Sequence, residues 1–135
     1  MSARNGEVPI TVEGDIIAVR RLLREVAQEL GFGITDVTRV VTAASELARN
    51  AYKYGGGGVM RWRVLEANGR RGIELTFIDH GPGIADVSRA LEQGYTTGNG
   101  LGLGLPAAKR LMDELDIQSI AGSGTTVISK KWCPV

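Results

Sequence analysis

Two polar residues of this chain stand one helical turn apart within a segment whose apolar residues follow helical spacing. Glu46 and Asn50 project from the same face of that predicted helix, and Lys53 follows on nearly the same side. A carboxylate can orient or deprotonate a hydroxyl, an amide oxygen suits Mg²⁺, and an ammonium group can neutralise phosphate charge. This trio is typical of phosphate chemistry. The alternative is a solvated helix face with an ordinary contact from Glu46 to Arg49 or Asn50.

The second candidate group follows an apolar strand. Asp79 ends the segment Ile73–Asp79, and a carboxylate there can accept a hydrogen bond from the exocyclic amine of adenine, which guanine lacks at that position. Gly81 and Gly83 let the backbone approach a base closely, and Ile84 can pack on its ring. The alternative is an ordinary turn between a strand and a loop, where Asp and Gly are common.

The third group is a glycine-rich run before a predicted helix. Glycine and leucine alternate over five positions, which are Gly100, Leu101, Gly102, Leu103 and Gly104. Bare backbone N–H groups at a helix start bind anions, so the glycines predict a phosphate cradle, with a flexible loop as the alternative. Neither G-x-x-x-x-G-K-[ST] nor G-x-G-x-x-G fits the run. All three groups, in this order within 135 residues, predict an ATP site.

Length and charge narrow the classes of function. A chain of 135 residues is expected to form one domain, 1–135. Sixteen basic and fifteen acidic residues leave a net charge of +1, which predicts neither nucleic acid nor an anionic membrane as the main partner. The single Cys133 fits a reducing cytosol, and no apolar run approaches a membrane span, so we expect a cytoplasmic protein.

The periodicity of apolar residues predicts the elements that must position these groups. Strands are expected at about Val8–Glu13, Val59–Glu66, Gly72–Asp79, Ile117–Ala121 and Thr125–Trp132. Helices are expected at about residues 16–30, 35–54 and 101–115, with a short one at 86–93; Asp15 is expected to cap the first helix and Gly31 to end it. The predicted fold class is an α/β two-layer sandwich, with helices on one face of a mostly antiparallel sheet of about five strands.

Two other groups of polar residues have less specific interpretations. His80 is expected to be a solvent-facing turn residue. Four arginines cluster around a hairpin predicted at Asn68-Gly69. They indicate either a solvated face or a docking surface for an acidic partner, and they are Arg61, Arg63, Arg70 and Arg71.

The three groups resemble the N, G1 and G2 boxes of the GHKL superfamily, whose ATP-binding unit is the Bergerat fold. The resemblance covers nearly the whole chain. Within the superfamily, the chain is most similar to the small stand-alone serine kinases of sigma-factor partner switching in bacterial stress signalling (the stressosome). The flanking matches are Gly31-Phe-Gly33, Tyr52, Tyr54, Lys109-Arg-Leu-Met-Asp113-Glu114 and Lys131-Trp132.

The resemblance implies a role for each matching residue. Glu46 would be the general base or orienting carboxylate, Asn50 would ligate Mg²⁺, and Asp79 would bind the adenine amine. Residues of about 85–100 would form an ATP lid. The remaining implied contacts are Gly81 and Gly83 at the base, Gly100, Gly102 and Gly104 at the phosphates, and Thr125 near the base.

The resemblance also implies the activity and the partners. The protein would be an ATP- and Mg²⁺-dependent serine/threonine kinase that phosphorylates STAS-domain antagonist or scaffold proteins. Once released, it would bind and activate a PP2C-type phosphatase. The alternatives are an anti-sigma factor of the same fold and an adaptor that uses ATP only to set its shape; the presence of Glu46 favours catalysis.

Overall fold

The computed structural model describes residues 4–82, 105–120 and 122–134, in which a layer of helices packs on one face of a sheet. The strands are β1 (Asn5–Ile10), β2 (Gly58–Ala67), β3 (Arg70–Asp79), β4 (Glu114–Ile120) and β5 (Gly124–Trp132). The helices are α1 (Gly14–Glu29), α2 (Ile34–Lys53) and α3 (Leu105–Leu111). Within these ranges, no helix has the length and apolar character that crossing a membrane requires.

The described strands form one sheet in the order β1-β2-β3-β5-β4. Each of the four pairings between neighbouring strands is antiparallel. The predicted fold class is therefore confirmed, although the described strands contain no parallel pair. The β2–β3 hairpin is also confirmed: Asn68 and Gly69 both have positive φ, at 56° and 75°, which a two-residue turn of this kind requires.

The core lies between the helices and one face of the sheet. Alternate residues of β2, β3 and β5 point toward the helices, and Met60, Leu75 and Val127 are buried there. Helix α2 lies deepest, with nine buried residues along its length. Because α2 is held along most of its length, the polar side chains on its remaining face keep a defined position relative to the sheet.

The face of the sheet away from the helices carries charged pairs. Arg61 lies 3.2 Å from Glu7 and Arg63 lies 2.7 Å from Glu74, and both arginine side chains are more than half exposed. Such pairs contribute little to stability in water. For Arg61 and Arg63, this arrangement fits the solvated-face interpretation of the arginine cluster, since their charges already have acidic partners from the same chain.

The start of the chain differs from the prediction. The first strand ends at Ile10, because Thr11–Glu13 form a turn instead of continuing it, and Val12 is 58% exposed. Asp15 is not the N-cap of α1; Glu13 is. Apolar and polar residues continue to alternate beyond Ile10, but the strand does not continue. The Asp15 carboxylate accepts hydrogen bonds from the backbone N–H groups of Thr11 and Val12, and these bonds turn the chain into the helix.

The other helix limits are partly as predicted. Gly31 ends the first helix, with φ at 91° directly after the C-cap residue. The helix predicted to reach Leu115 instead ends at Leu111, and β4 begins at Glu114 rather than Ile117. Pairing of β4 with β5 outweighs the helical spacing of the apolar residues there. The start of that helix and the short helix predicted at 86–93 lie outside the described residues.

Candidate nucleotide-binding site

A row of polar side chains lies at one end of the sheet, on the face that the helices cover. Asp79 of β3 is directly opposite Thr125 of β5, and Thr125 is directly opposite Ser119 of β4. By strand alternation, the row lies on the same face as the buried Phe77 and Val127. Directly opposite residues have β-carbons about 5 Å apart, so neighbouring side chains of the row can reach one small ligand.

Three glycines pack around Asp79, and we call Gly55, Gly81 and Gly124 the glycine cradle. A β-carbon on Gly55 would overlap the Asp79 carboxyl group, and one on Gly81 would lie 2.6 Å from the Gly55 α-carbon. A β-carbon on Gly124 would overlap the Asp79 carbonyl oxygen, and Gly124 also has φ at 107°. The cradle thus joins the end of α2, the turn after β3 and the start of β5 around one carboxylate.

The Asp79 carboxylate is oriented by its own turn. Its Oδ1 accepts a hydrogen bond from the backbone N–H of Gly81 at 3.0 Å. A carboxylate has two oxygens and about four acceptor positions, so one such bond sets its direction and leaves accepting capacity. An exocyclic amine, which can only donate here, suits that capacity.

The hydroxyls beside Asp79 contact one another. Thr125 Oγ1 lies 3.1 Å from Ser119 Oγ, and Ser119 Oγ donates to the carbonyl oxygen of Gly124 at 3.2 Å. Both side chains are half-buried. This places Thr125, predicted to lie near the base, on the strand next to Asp79.

Helix α2 brings its polar residues toward the same end of the sheet. The carbonyl oxygen of Asn50 accepts bonds from the backbone N–H of Tyr54 and of Gly55, so the last turn of α2 leads directly into the glycine cradle. Glu46 and Asn50 are half-buried, whereas Lys53 is exposed, with its ammonium 5.7 Å from the centre of the Tyr54 ring.

Glu46 also makes the local contact expected under the alternative interpretation. Its Oε1 lies 3.2 Å from Nη1 of Arg49, whose side chain is about half exposed. The side chain of Glu46 itself is 31% exposed. The ion pair and a catalytic role are compatible, because an exposed arginine at this distance contributes little and can be displaced by a substrate.

Other predicted site residues lie outside the described part of the chain. These are Gly83, Ile84, Gly100, Leu101, Gly102, Leu103 and Gly104, together with the proposed lid at about 85–100. Their assignment stays a prediction. Among the described residues, the glycine cradle lets the backbone pack closely around the Asp79 carboxyl group, and the amide of Asn50 suits Mg²⁺ that also binds the nucleotide phosphates.

Known proteins are similar to this chain in sequence and in fold. The family described as histidine kinase-like ATPase domain matches residues 8–131. The chain belongs to this family. Over 125 residues it is 48% identical to the serine/threonine-protein kinase RsbT of Bacillus subtilis, covering 93% of this chain and 94% of that one. The predictions of an RsbT-type chain and of a serine/threonine protein kinase are thereby confirmed.

Two further proteins show how far the similarity extends. The anti-sigma F factor of Clostridium acetobutylicum is 32% identical over 112 residues, covering 78% of this chain and 76% of that protein. The crystal structure of the RsbU and RsbW domains of Rv1364c from Mycobacterium tuberculosis has a TM-score of 0.66 at 21% identity. That match covers 98% of this chain and 34% of the Mycobacterium chain, and it shows the shared fold.

Three residues that lie beside Asp79 or Thr125 are absent from the predicted site. Gly55 and Gly124 both pack against Asp79, although Gly55 directly follows the helix predicted at 35–54 and Gly124 lies between two predicted strands. Ser119, whose hydroxyl contacts that of Thr125, lies in the strand predicted at Ile117–Ala121 and carries no predicted role. The four consecutive glycines from Gly55 were a usable signal, because ending a helix needs only one of them. Nothing in the residues next to Ser119 along the chain predicts its contact with Thr125, because the pairing register of β4 and β5 brings the two together.

Proposed function

We propose that this protein is an ATP- and Mg²⁺-dependent kinase of the partner-switching type, which phosphorylates a serine or threonine of STAS-domain proteins (RsbS- or RsbR-like). We also propose that the released kinase binds and activates a PP2C-type phosphatase (RsbU-like), and that it acts in the cytoplasm as part of stressosome signalling. The observation that carries the proposal is the convergence of Asp79, Thr125 and the end of α2, in a chain 48% identical to RsbT.

The residues of the site that lie at the end of the sheet support adenine binding. The Asp79 carboxylate is held by Gly81 and can accept a hydrogen bond from the adenine amine. The glycine cradle lets three segments of backbone approach Asp79 closely, which holds the carboxylate at the end of the sheet. Thr125, on the neighbouring strand, adds a hydroxyl at the same edge of the base.

The helix end of the site supports phosphoryl transfer. Glu46, four residues before Asn50, would orient the attacking hydroxyl and accept its proton. Asn50 would hold Mg²⁺, which when bound neutralises charge on the transferring phosphoryl group. Lys53 lies one turn beyond Asn50, so its ammonium can approach the phosphates. Phosphoryl transfer depends mainly on positioning and charge neutralisation, so a small site of this kind is sufficient.

The decisive experiment is transfer of radiolabelled phosphate from ATP to candidate STAS-domain proteins of the same organism. We expect label on a serine or threonine of the acceptor, and loss of transfer when Mg²⁺ is chelated. Glu46→Gln is expected to retain ATP binding and to slow transfer by about 100-fold or more, since a general base contributes that much. Glu25→Gln, an exposed substitution on α1, serves as the matched control.

The outcomes separate the parts of the proposal. Normal transfer by Glu46→Gln would show that this carboxylate is not the base. No transfer to any STAS-domain protein by the wild type, with ATP binding intact, would contradict the kinase assignment. Direct binding to a PP2C-type phosphatase, measured with and without the phosphorylated acceptor, tests the second role separately.

An anti-sigma factor is the alternative function. The similarity to the anti-sigma F factor of Clostridium acetobutylicum, at 32% identity over 78% of this chain, favours considering it. Under this alternative, the protein would retain a sigma factor from the same organism in a pull-down and would not require an acceptor protein. Retention of a STAS-domain protein and not of a sigma factor would support the kinase instead.

A further inference from the structure

Helix α2 presents a positively charged stripe on its exposed side. Its basic residues, Arg39, Arg49 and Lys53, are exposed, whereas its acidic residues, Asp36 and Glu46, are both half-buried. If Glu46 is the base, the hydroxyl of an acceptor protein must reach it, so the acceptor must lie across this stripe. A protein in that position meets more accessible positive charge than negative charge.

Arg49 and Asn50 lie on opposite sides of Glu46 around the helix. At about 100° per residue, Asn50 is rotated about 40° from Glu46 in one direction and Arg49 about 60° in the other. Burial agrees with this placement, since Asn50 is half-buried and Arg49 is exposed. If Asn50 serves the nucleotide, as proposed, Arg49 lies on the side of Glu46 that is left for the second substrate.

The guanidinium group of Arg49 can bind more than its present partner. Its Nη1 donates to Glu46 Oε1 at 3.2 Å, and the side chain is about half exposed. A guanidinium has five N–H donors in a planar fork, so this one contact leaves capacity for a bidentate pair with a second carboxylate. A carboxylate bound there would lie beside Glu46, because the same guanidinium contacts both.

We propose that Arg49 is a specificity-determining residue that binds a carboxylate of the acceptor protein, and so selects acceptors whose reacting serine or threonine lies beside an acidic residue. This inference rests on the proposed function, because it concerns the second substrate of the same reaction. The bound carboxylate brings the neighbouring hydroxyl to Glu46. The positive stripe of α2 attracts an acidic acceptor surface and disfavours a basic one.

The test measures the rate of phosphate transfer by the full chain against the concentration of a STAS-domain acceptor that the wild type labels. Arg49→Gln should raise KM for the acceptor about 10- to 100-fold, as expected for the loss of a charge-assisted hydrogen bond. The value of kcat should stay within about twofold, because the lost contact is equally present before and during transfer. The matched control is Arg61→Gln, since Arg61 also lies 3.2 Å from an acid but on the opposite face of the sheet, and it should not change KM.

Substitutions in the acceptor test whether the effect passes through a carboxylate. Acidic residues near the labelled hydroxyl are replaced one at a time by their amides. We expect one of these changes to raise KM for the wild-type kinase about as much as Arg49→Gln does, and to raise it little further when combined with Arg49→Gln. If every acceptor substitution acts equally on both kinases, Arg49 has no carboxylate partner on the acceptor and the inference is overturned.

The outcomes distinguish this inference from the proposed function. Arg49→Gln with the wild-type KM overturns the inference and leaves the kinase proposal intact, and so does a fall in kcat alone, which would mean that Arg49 only orients Glu46. Weaker ATP binding by Arg49→Gln, measured by calorimetric titration, also overturns it, because the guanidinium would then belong to the nucleotide site. A wild type that labels no STAS-domain protein overturns both proposals.

Discussion

The Asp79 carboxyl group is positioned by two residues that have no side chains. Its Oδ1 is held by the backbone N–H of Gly81, and Gly55 packs directly against its carboxyl group. A larger residue at either glycine would displace the carboxylate or close the space beside it. The two predictions at the scale of the residue therefore concern Asp79 itself and the glycine that supports it.

Replacing Asp79 by asparagine is expected to weaken ATP binding. The amide can turn its own donor toward the adenine amine, and it removes a charged acceptor that contributes about 1.5–3 kcal/mol, or about 10- to 100-fold in affinity. Calorimetric titration with ATP measures the change, and Asp116→Asn on the exposed side of β4 is the control. An unchanged dissociation constant for Asp79→Asn would show that Asp79 does not bind the base.

Replacing Gly55 by alanine is expected to abolish tight ATP binding while most of the fold persists. The added β-carbon would overlap the Asp79 carboxyl group and force it away from the base. Gly33→Ala is a matched control, because a β-carbon there meets nothing within 4 Å in the structure. Circular dichroism checks the fold and titration checks binding. Equal ATP affinity in both variants would show that the close contact of Gly55 with Asp79 is not needed for ATP binding.

At the scale of the element, the start of α1 is organised by a side chain inside the helix. Asp15 Oδ2 accepts hydrogen bonds from the backbone N–H groups of Thr11 at 2.8 Å and Val12 at 3.0 Å. These bonds to Thr11 and then Val12 lower the pKa of Asp15 below the ordinary value of an aspartate. The negative charge of this carboxylate near the helix N-terminus also interacts favourably with the positive end of the helix dipole.

The lowered pKa predicts how the stability contributed by Asp15 depends on pH. Because the folded pKa lies below the unfolded value of about 3.9, the contribution is fully present above that value and is lost as the pH falls through the folded pKa. Asp15→Asn should therefore lower the Tm at pH 7, with a difference from wild type that shrinks below about pH 4. Glu13→Gln is the control, since Glu13 makes no capping bond through its side chain. A constant difference across the whole pH range would contradict this account.

At the scale of the whole molecule, a buried lysine ties three parts of the chain together. Lys131 of β5 is 8% exposed, and its ammonium lies 3.8 Å from Asp36 of α2 and 3.6 Å from Asp113, just before β4. Asp113 also accepts the backbone N–H of Trp132 at 2.7 Å. The cluster lies about 20 Å along β5 from Thr125, at the opposite end of the strand from the candidate nucleotide site.

Removing this charge should affect stability and leave nucleotide binding unchanged. Lys131→Met keeps the length of the side chain but leaves Asp36 and Asp113 without their shared partner, so we expect the free energy of unfolding to fall by about 1–3 kcal/mol. Lys130→Met, on the exposed face beside Glu74, should change it by less than about 0.5 kcal/mol. Urea unfolding measures both. A matching fall in ATP affinity at temperatures where Lys131→Met is folded would show that the two ends are coupled.

Much of the fold was predictable from local patterns. The Asn68-Gly69 turn, the Gly31 helix end and the strand leading to Asp79 follow from residues that are neighbours along the chain. The limits of β1 and β4 were not predictable, because each depends on partners far away in the sequence. Leu115 becomes part of a strand because the Glu114–Ile120 segment pairs with β5, although its spacing also continues the apolar pattern of the preceding helix.

The sequence by itself determined the kind of chemistry and the family, since the spacing of Glu46 and Asn50 and the segment around Asp79 carry both in residue types alone. Only the tertiary structure decided which groups meet. Antiparallel register places Ser119, Thr125 and Asp79 in one row, and packing brings Gly55 against that row. The physical reason is that hydrogen-bond direction and close approach depend on distances between strands and helices, and residues far apart in the chain acquire those distances only on folding.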